Sequence, residues 1–335
     1  MKSIWNLRSA TWIATIAAAA AWPAQAQAQT PAPSGPGSSP LRLVVGFPPG
    51  GALDTLARAL AEQLRLGGEG PVIVDNRPGA ATQISIEYVK RSPPDGKTVL
   101  LSSNAPLVIF PMTYRQLSYD VDRDFIPVAH LAEVPSVISA GADRPYKTLQ
   151  EYARWVRANP SQASVGLTSL GGVLHFAVLG MSKTVGVALN PVPYKGGAAL
   201  VTDLIGGHVP LGTDALASQL ELHRAGKVRI LAVSGTRRNP SLPDVPTARE
   251  AGLDAFEHAT ASYSAFVPTG TPVEVVQHLE RAFVAAVQQP QVRNAMTRAG
   301  LEVTGLPGAA VARTLSAERE FWRPLVQASG FRSEP

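Results

Sequence analysis

The sequence of 335 residues contains no cysteine. This absence excludes disulfides, a thiol nucleophile, a thiolate-bound metal and the modified cysteine that anchors a lipoprotein. The six histidines do not pair at the i+2 or i+4 spacing of a metal site, and no H-E-x-x-H motif occurs. We therefore expect no metal ion.

The motifs of nucleotide and acyl-transfer chemistry are missing as well. Neither G-x-x-x-x-G-K-[ST] nor G-x-G-x-x-G occurs, so we expect no cofactor. The nearest match to G-x-S-x-G is Gly166-Leu-Thr-Ser169-Leu-Gly171, which has one residue too many before the serine, and His175 follows six residues after Ser169. We do not expect the protein to be an enzyme. A serine-dependent hydrolase of a small ester or amide, using Ser169 and His175, remains an alternative.

Charge of one sign is not concentrated anywhere in the chain. Lys and Arg number 30 against 25 Asp and Glu, which gives a formal net charge of +5, and the basic residues are scattered. A nucleic-acid partner is therefore not expected. A mild positive field favours small anionic ligands, and it is equally compatible with simple solubility.

The N-terminal sequence has the pattern of a secretory signal. Lys2 and Arg8 precede an apolar run from about Ala10 to Trp22, and small-residue cleavage sites of A-x-A type follow. The pattern predicts a cleaved signal peptide over residues 1–28 and a flexible lead-in over residues 29–40. Export without disulfides suits a bacterial periplasm.

The first half of the mature chain alternates between strand and helix patterns. The apolar runs RLVVGF, PVIVDN and KTVLLSS predict three strands, and leucines at helical spacing follow the first of them. This alternation predicts right-handed βαβ units and a parallel sheet.

A second set of strand and helix patterns begins near residue 136, and the C-terminal tail is helical. Thr148 with Glu151, and Thr271 with Glu274, predict capping boxes at two helix starts. The sequence therefore predicts two α/β lobes with a ligand cleft between them. The predicted boundaries are 41–134 together with 262–335 for lobe 1, and 135–261 for lobe 2.

Glycine-rich junctions lie where predicted strands end and helices begin. They are Gly50-Gly51, Gly79 to Thr82, Gly171-Gly172 and Gly196-Gly197. A helix N-terminus offers unpaired N–H groups and a positive dipole end to an anion. Glycines also simply permit tight turns, which is the structural alternative. Taken together, in an exported chain without catalytic machinery, the junctions favour binding of a carboxylate.

Several stretches carry a family resemblance. In order they are RLVVGFPPGGALDTLARALAEQL, VIVDNRPGAATQISIEYV, SPPDGKTVLLSSN, VPYKGGAALVTDLIGGHV, GKVRILAVSGTRRNPSLPDVPTARE and FVPTGTP. This ordered set resembles the Bug-type periplasmic solute receptors of tripartite tricarboxylate transporters, from about Leu41 to the C-terminus.

The resemblance implies a type II periplasmic binding protein that captures a small organic carboxylate. It also implies delivery of that ligand to membrane permease subunits of a secondary transporter. We expect the receptor to be a monomer. A ligand-binding sensor subunit for a signalling kinase remains a further alternative.

By position, the resemblance implies ligand-binding residues at strand ends in both lobes. Asp54 and His175 each have a structural alternative, as a partner of the helix dipole and as a packing residue. The family's P-G-A-G-G is Pro78 to Thr82 here, so that a methyl group at Ala81 narrows the loop and Thr82 adds a hydroxyl. The implied set is Phe47, Gly50, Gly51, Asp54, Ser103, Asn104, Ser169, Gly171, Gly172, His175 and Asp214.

Overall fold

The structure, a computed structural model, describes residues 39–333, which lie within one compact unit. The predicted signal peptide and most of the predicted lead-in lie outside the described residues. The strands are β1 (Leu41–Val45), β2 (Val72–Asn76), β3 (Thr98–Ser103), β4 (Phe125–Val134), β5 (Ser136–Gly141), β6 (Ser164–Leu167), β7 (Asn190–Pro193), β8 (Leu211–Ala215), β9 (Val228–Val233), β10 (Ala261–Pro268) and β11 (Glu302–Pro307).

Helices follow most of these strands. They are α1 (Ala52–Leu64), α2 (Gln83–Lys90), α3 (Ala105–Val108), α4 (Phe110–Thr113), α5 (Val121–Asp124), α6 (Leu149–Ala158), α7 (Val173–Val185), α8 (Gly197–Ile205), α9 (Leu220–Arg224), α10 (Asp254–Glu257), α11 (Val273–Val287), α12 (Pro290–Arg298) and α13 (Gly308–Ser329). Among the described residues, none of these helices has the length and apolar character needed to cross a membrane.

The first sheet has six strands in the order β11-β4-β10-β3-β1-β2. The pairs β1–β2 and β1–β3 are parallel, as the βαβ pattern predicts. Strand β10 is antiparallel to both β3 and β4, and β11 is antiparallel to β4. The prediction of a parallel sheet is therefore confirmed for β1, β2 and β3, the strands that it concerned. The complete sheet is mixed, because β10 and β11 from the C-terminal part of the chain run in the opposite direction.

The second sheet has five strands in the order β7-β6-β8-β5-β9. Strand β6 is parallel to β7 and β8, whereas β5 is antiparallel to β8 and β9. This sheet is mixed as well. The ends of four strands lie between the two sheets, where a site can form. They are the ends of β1 and β3 from the first sheet and of β6 and β8 from the second.

Two crossings connect the sheets. Pro135 alone separates β4 from β5, and residues 234–260 lead from β9 to β10. Hydrogen bonds tie the crossings together: the Ser136 N–H donates to Ser234 Oγ at 2.9 Å, and the Ser234 N–H donates to the Ser136 carbonyl at 2.8 Å. Ser234 Oγ also lies 2.7 Å from Thr260 Oγ1.

The two predicted capping boxes have different outcomes. Thr148 Oγ1 accepts the Glu151 N–H at 3.1 Å, so the predicted start of α6 is confirmed. The Thr271 hydroxyl instead donates to the Pro268 carbonyl at 2.8 Å, and α11 begins after Pro272 without a side-chain cap. The second capping box is therefore wrong, because the residue at the start of α11 is Pro272, whose side chain has no hydrogen-bond acceptor.

Apolar side chains cover both faces of the first sheet. Leu43 and Val45 of β1 pack in one buried cluster with helices α1 and α11, and Val44 points into the other. That second cluster also contains Phe176 of α7 and Trp322 of α13, both fully buried. Helix α13 thus packs against elements from both sheets, and the polar strand ends are left for the site.

Candidate functional site

A cavity of about 620 Å³ lies between the ends of the strands of the two sheets. Its lining comes from the loops after β1, β2, β3 and β6, from the end of β8, from the N-terminus of α7 and from residues beside both crossings. The volume is in the range of small-molecule sites. The lining residues are Phe47, Ala81, Thr82, Ser103, Asn104, Ala105, Pro106, Phe110, Val134, Ser136, Thr168, Ser169, Leu170, Gly172, Val173, Leu174, Asp214, Ala215, Ala261 and Tyr263.

The residues implied by the family resemblance divide into two groups. One group lines the cavity, and the other lies outside its lining, within the loops that support it. Contact between any of them and a ligand stays a prediction. The lining group is Phe47, Ser103, Asn104, Ser169, Gly172 and Asp214; the outer group is Gly50, Gly51, Asp54, Gly171 and His175.

The carboxylate bound at the glycine loop before α1 is a side chain of the protein itself, that of Asp54. Its Oδ2 accepts the Gly50 N–H and Arg58 Nε, each at 2.9 Å, and its Oδ1 accepts Asn76 Nδ2 at 2.9 Å. Burial opposes its ionisation, but the hydrogen bonds from Arg58, Gly50 and Asn76 outweigh burial and lower the pKa of Asp54. The Gly50 N–H is thus already used, which favours the structural alternative for Asp54.

Asp214, at the end of β8, places its carboxylate beside the start of α8, as Asp54 does at the start of α1. Its two carboxylate oxygens accept the hydroxyls of Thr168 and Ser218, each at 2.6 Å. A side chain at Gly197, in the first turn of α8, would collide with Oδ2 of Asp214. The Gly196-Gly197 junction therefore faces a carboxylate that belongs to the protein.

His175 holds the loop before α7 rather than lining the cavity. Its Nδ1 accepts the Gly171 N–H at 3.3 Å, and its buried ring packs against Phe176 and Phe331. Burial lowers the pKa of the imidazole, which keeps it neutral near pH 7. Among residues 39–333, no hydrogen bond joins Ser169 to His175, and the nitrogen that faces the loop is already an acceptor. This geometry does not support the hydrolase alternative.

Asn104 connects the end of β3 to the crossing and to α13. Its Nδ2 donates to Glu318 Oε2 at 2.9 Å and to the Thr260 carbonyl at 3.3 Å, and its Oδ1 accepts the Ser262 N–H at 3.4 Å. Burial, with a smaller contribution from the nearby carboxylate of Glu133, raises the pKa of the Glu318 carboxyl to about 7 against the opposing effect of the Asn104 hydrogen bond. The Asn104 amide is thus committed to the protein framework.

Thr82 belongs to the cavity lining and was not among the residues implied by the resemblance. It ends a run of three residues with positive φ, 44° at Ala80, 50° at Ala81 and 76° at Thr82. The side chain is 8% exposed, and its Oγ1 has no hydrogen-bond partner among the described residues. The departure from the family's glycine pattern marks this loop in the sequence, but burial of the hydroxyl depends on the tertiary structure.

Apolar side chains form much of the rest of the lining. Phe110, Val134, Val173, Leu174 and Tyr263 contribute to it, and sequence reasoning did not identify any of them as site residues. Of the lining residues that the structure describes, only Asp214 is an Asp, Glu, Lys or Arg. A metal site is not formed either, since no group of three His, Asp or Glu side chains within residues 39–333 could hold an ion.

Comparison with known proteins identifies relatives of this architecture. The chain matches the family model of the tripartite tricarboxylate transporter family receptor over residues 56–331. It is similar to the periplasmic binding protein BugD, with a TM-score of 0.71, 30% identity, and coverage of 88% of this chain and 99% of BugD.

Two similar structures hold ligands. MatC from Rhodopseudomonas palustris, solved with malate, is 30% identical with a TM-score of 0.70, covering 86% of this chain and 98% of MatC. A protein of R. palustris solved with adipate is also 30% identical, with a TM-score of 0.74 and coverage of 88% and 98%. The two mixed sheets thus form the fold of periplasmic binding proteins, as the resemblance implied.

Proposed function

Because the chain belongs to the receptor family of tripartite tricarboxylate transporters, we propose that it captures a small organic carboxylate in the cavity between its two sheets. The observation that carries this proposal is the cavity itself. Residues with hydroxyl groups from both sheets line it, and so does the N-terminus of α7. Such donors hold an anion without turning it over. Similar proteins that hold malate and adipate support this ligand class.

We further propose that the chain works as two lobes, 41–134 with 262–335 and 135–261. The six lining residues from the family set, Phe47, Ser103, Asn104, Ser169, Gly172 and Asp214, are proposed to face the ligand. Asn104 and Asp214 do so with side chains that are already hydrogen-bonded within the protein, so they shape the cavity. The five outer residues shape the loops that carry them, as Asp54 does for the loop before α1 and His175 for the loop before α7.

The proposed partners are the membrane permease subunits of a secondary transporter, which receive the ligand from a monomeric receptor in the periplasm. Export is proposed to cleave the chain after Ala26 or Ala28, so that the mature chain begins at Gln27 or Gln29. N-terminal mass spectrometry of periplasmic protein tests this. An intact Met1 on membrane-bound protein would contradict it.

A thermal-shift screen of purified mature protein tests the function. The panel contains mono-, di- and tricarboxylates, amino acids and uncharged analogues such as the corresponding amides. We expect at least one carboxylate to raise the melting temperature, since a ligand that binds only the native state stabilises it. Its amide should have no effect. Stabilisation by uncharged compounds alone would reject a carboxylate receptor, and genes for a two-component system beside this one would favour the sensor.

A further inference from the structure

The chain leaves α13 at Gly330, and the residues that follow contact elements on both sides of the cavity. Gly330 has a φ of 65°, the left-handed conformation with which glycine ends many helices. The Phe331 N–H then donates to Ser329 Oγ at 3.1 Å, which fixes the direction of the chain after this turn. We call residues 330–333 the C-terminal segment.

On the side of the first sheet, the C-terminal segment is hydrogen-bonded to α4, which follows β3. The Ser333 N–H donates to the Thr113 carbonyl at 3.1 Å, and Ser333 also forms an isolated parallel β-bridge with Tyr114. Helix α4 begins at Phe110, and Phe110 lines the cavity. The C-terminal segment is therefore attached to an element that forms part of the cavity wall.

On the side of the second sheet, Phe331 packs against the loop before α7. Its ring centroid lies 4.9 Å from that of His175, in an edge-to-face arrangement, and 5.9 Å from that of Phe176. A Cβ atom at Gly171 would lie only 2.9 Å from Cε1 of Phe331. The Gly171 N–H donates to His175 Nδ1, so the phenyl ring contacts both residues of the hydrogen bond that shapes this loop.

The loop before α7 supplies part of the cavity lining, and its own hydrogen bonds are long. Ser169, Leu170 and Gly172 line the cavity. The Gly172 N–H reaches the Ser169 carbonyl at 3.3 Å, and the Gly171 N–H reaches His175 Nδ1 at the same distance. Hydrogen bonds of this length are weaker than those at the usual distance of about 2.9–3.0 Å. The loop therefore depends on packing from outside it, and Phe331 supplies such packing.

We infer that Phe331 is a positioning residue for the cavity, because its ring holds the loop that presents Ser169 and Gly172 to a ligand. Phe331 is not among the residues that line the cavity, so it acts through the loop. The hydrogen bond of Ser333 to α4 keeps the ring in place. The inference rests on the proposed function for its effect on binding, and it adds a residue that the family resemblance did not imply.

Hydrogen exchange of the mature protein without any ligand tests whether Phe331 holds the loop. Phe331→Ala removes the ring, and we expect amide exchange in residues 168–173 to become about three- to tenfold faster than in the wild type. Phe331→Leu keeps apolar bulk without the aromatic edge, and its exchange should be intermediate. The matched control is Leu325→Ala, because Leu325 also lies on the C-terminal side of α13 and packs beside Gly180, in the middle of α7.

The control separates loss of the loop contact from a general loss of stability. Leu325→Ala loses apolar contact with α7, so its melting temperature should fall, but exchange in residues 168–173 should match the wild type. Unchanged exchange in Phe331→Ala, or equal acceleration in Leu325→Ala, overturns the inference. If Phe331→Ala does not fold, the comparison of Phe331→Leu with the wild type decides in the same way.

Calorimetry tests the consequence for binding. The probes are benzoate, succinate and citrate, which represent three classes of the thermal-shift panel, and any other acid of that panel that stabilises the wild type. For each acid that the wild type binds, Phe331→Ala should weaken binding about three- to tenfold, and Leu325→Ala should leave it unchanged. Wild-type affinity in Phe331→Ala overturns the positioning role. If the wild type binds none of the acids, the proposed function fails, while hydrogen exchange still decides whether Phe331 holds the loop.

Discussion

At the scale of single residues, two carboxyl groups near the site have opposite pKa shifts. Asp54 is buried, yet three donors surround it, and the pKa of its carboxyl is lowered. Glu318 has one side-chain donor, Asn104, and lies near Glu133, so burial raises the pKa of its carboxyl to about 7. The sign of each pKa shift therefore depends on whether hydrogen bonds and the charges nearby outweigh burial.

Glu318→Gln should change the pH dependence of stability. An unfolded glutamate has a pKa of about 4.3, whereas that of folded Glu318 is about 7. The stability associated with the protonated group is fully present below about pH 4.3, and it is lost as the pH rises through 7. The variant should therefore unfold at a higher urea concentration than the wild type at pH 8. At pH 4.5 the two should be similar.

Glu320→Gln is the matched control for this comparison, since Glu320 lies on the same helix and is exposed. Its urea midpoint should follow that of the wild type at both pH values. A Glu318→Gln midpoint that differs from wild type equally at pH 4.5 and pH 8 would show that ionisation of Glu318 is not the cause.

At the scale of elements, the loop before α2 is the most unusual part of the fold. Residues 80–82 all have positive φ, although glycine is the residue that adopts this region without steric cost. Other turns follow the expected chemistry, since Thr148 caps α6 and Gly300, with φ of 73°, ends α12. Among the non-glycine residues that the structure describes, positive φ is thus confined to this loop, which lines the cavity.

Ala81→Gly should relieve part of this strain. A left-handed conformation costs an L-residue about 1–2 kcal/mol, and the added freedom of glycine in the unfolded chain offsets about 0.5–1 kcal/mol of the gain. We expect the free energy of unfolding to rise by roughly 0.5–1 kcal/mol, measured by urea denaturation. The matched control, Ala59→Gly in the middle of α1, should lower it by about 1 kcal/mol. Destabilisation of similar size in both variants would contradict strain at residue 81.

At the scale of the whole molecule, the two sheets are joined by two crossings and bridged by α13. The crossings are tied together by hydrogen bonds among Ser136, Ser234 and Thr260. Helix α13 packs on β4 of the first sheet and on α7 beside the second. We propose that the lobes close around the ligand by bending at the crossings, as hinged domains do.

Closure predicts a smaller radius of gyration with bound ligand. Small-angle scattering of the mature protein, with and without the carboxylate that raises the melting temperature most in the thermal-shift screen, measures it. A ligand closes the lobes only through contacts that the closed state has and the open state lacks. The Ser169→Ala variant, which removes a hydroxyl group of a lining residue, should therefore compact less at the same ligand concentration. Thr213→Val, at a buried threonine outside the lining, should compact as the wild type does. A wild-type radius that is unchanged at saturation would exclude closure.

The sequence by itself determined the features that depend on neighbouring residues. The strand β1, the helix α1 after Gly51 and the cap at Thr148 follow from local apolar spacing and turn chemistry. The ordered stretches from Leu41 onward also identified the receptor family, which the family match over residues 56–331 confirmed.

Only the tertiary structure decided the features that depend on distant residues. Strand β4, with Pro127 in its apolar run, becomes recognisable through pairing with β10, about 130 residues further along the chain. The partner of the Gly50 N–H and the isolation of the Thr82 hydroxyl likewise depend on which groups are brought close in space. Which hydrogen-bond partner a group finds is a property of the folded environment. The residue types at a glycine junction could therefore indicate an anion site, but they could not show whether a ligand or a side chain of the protein supplies the carboxylate.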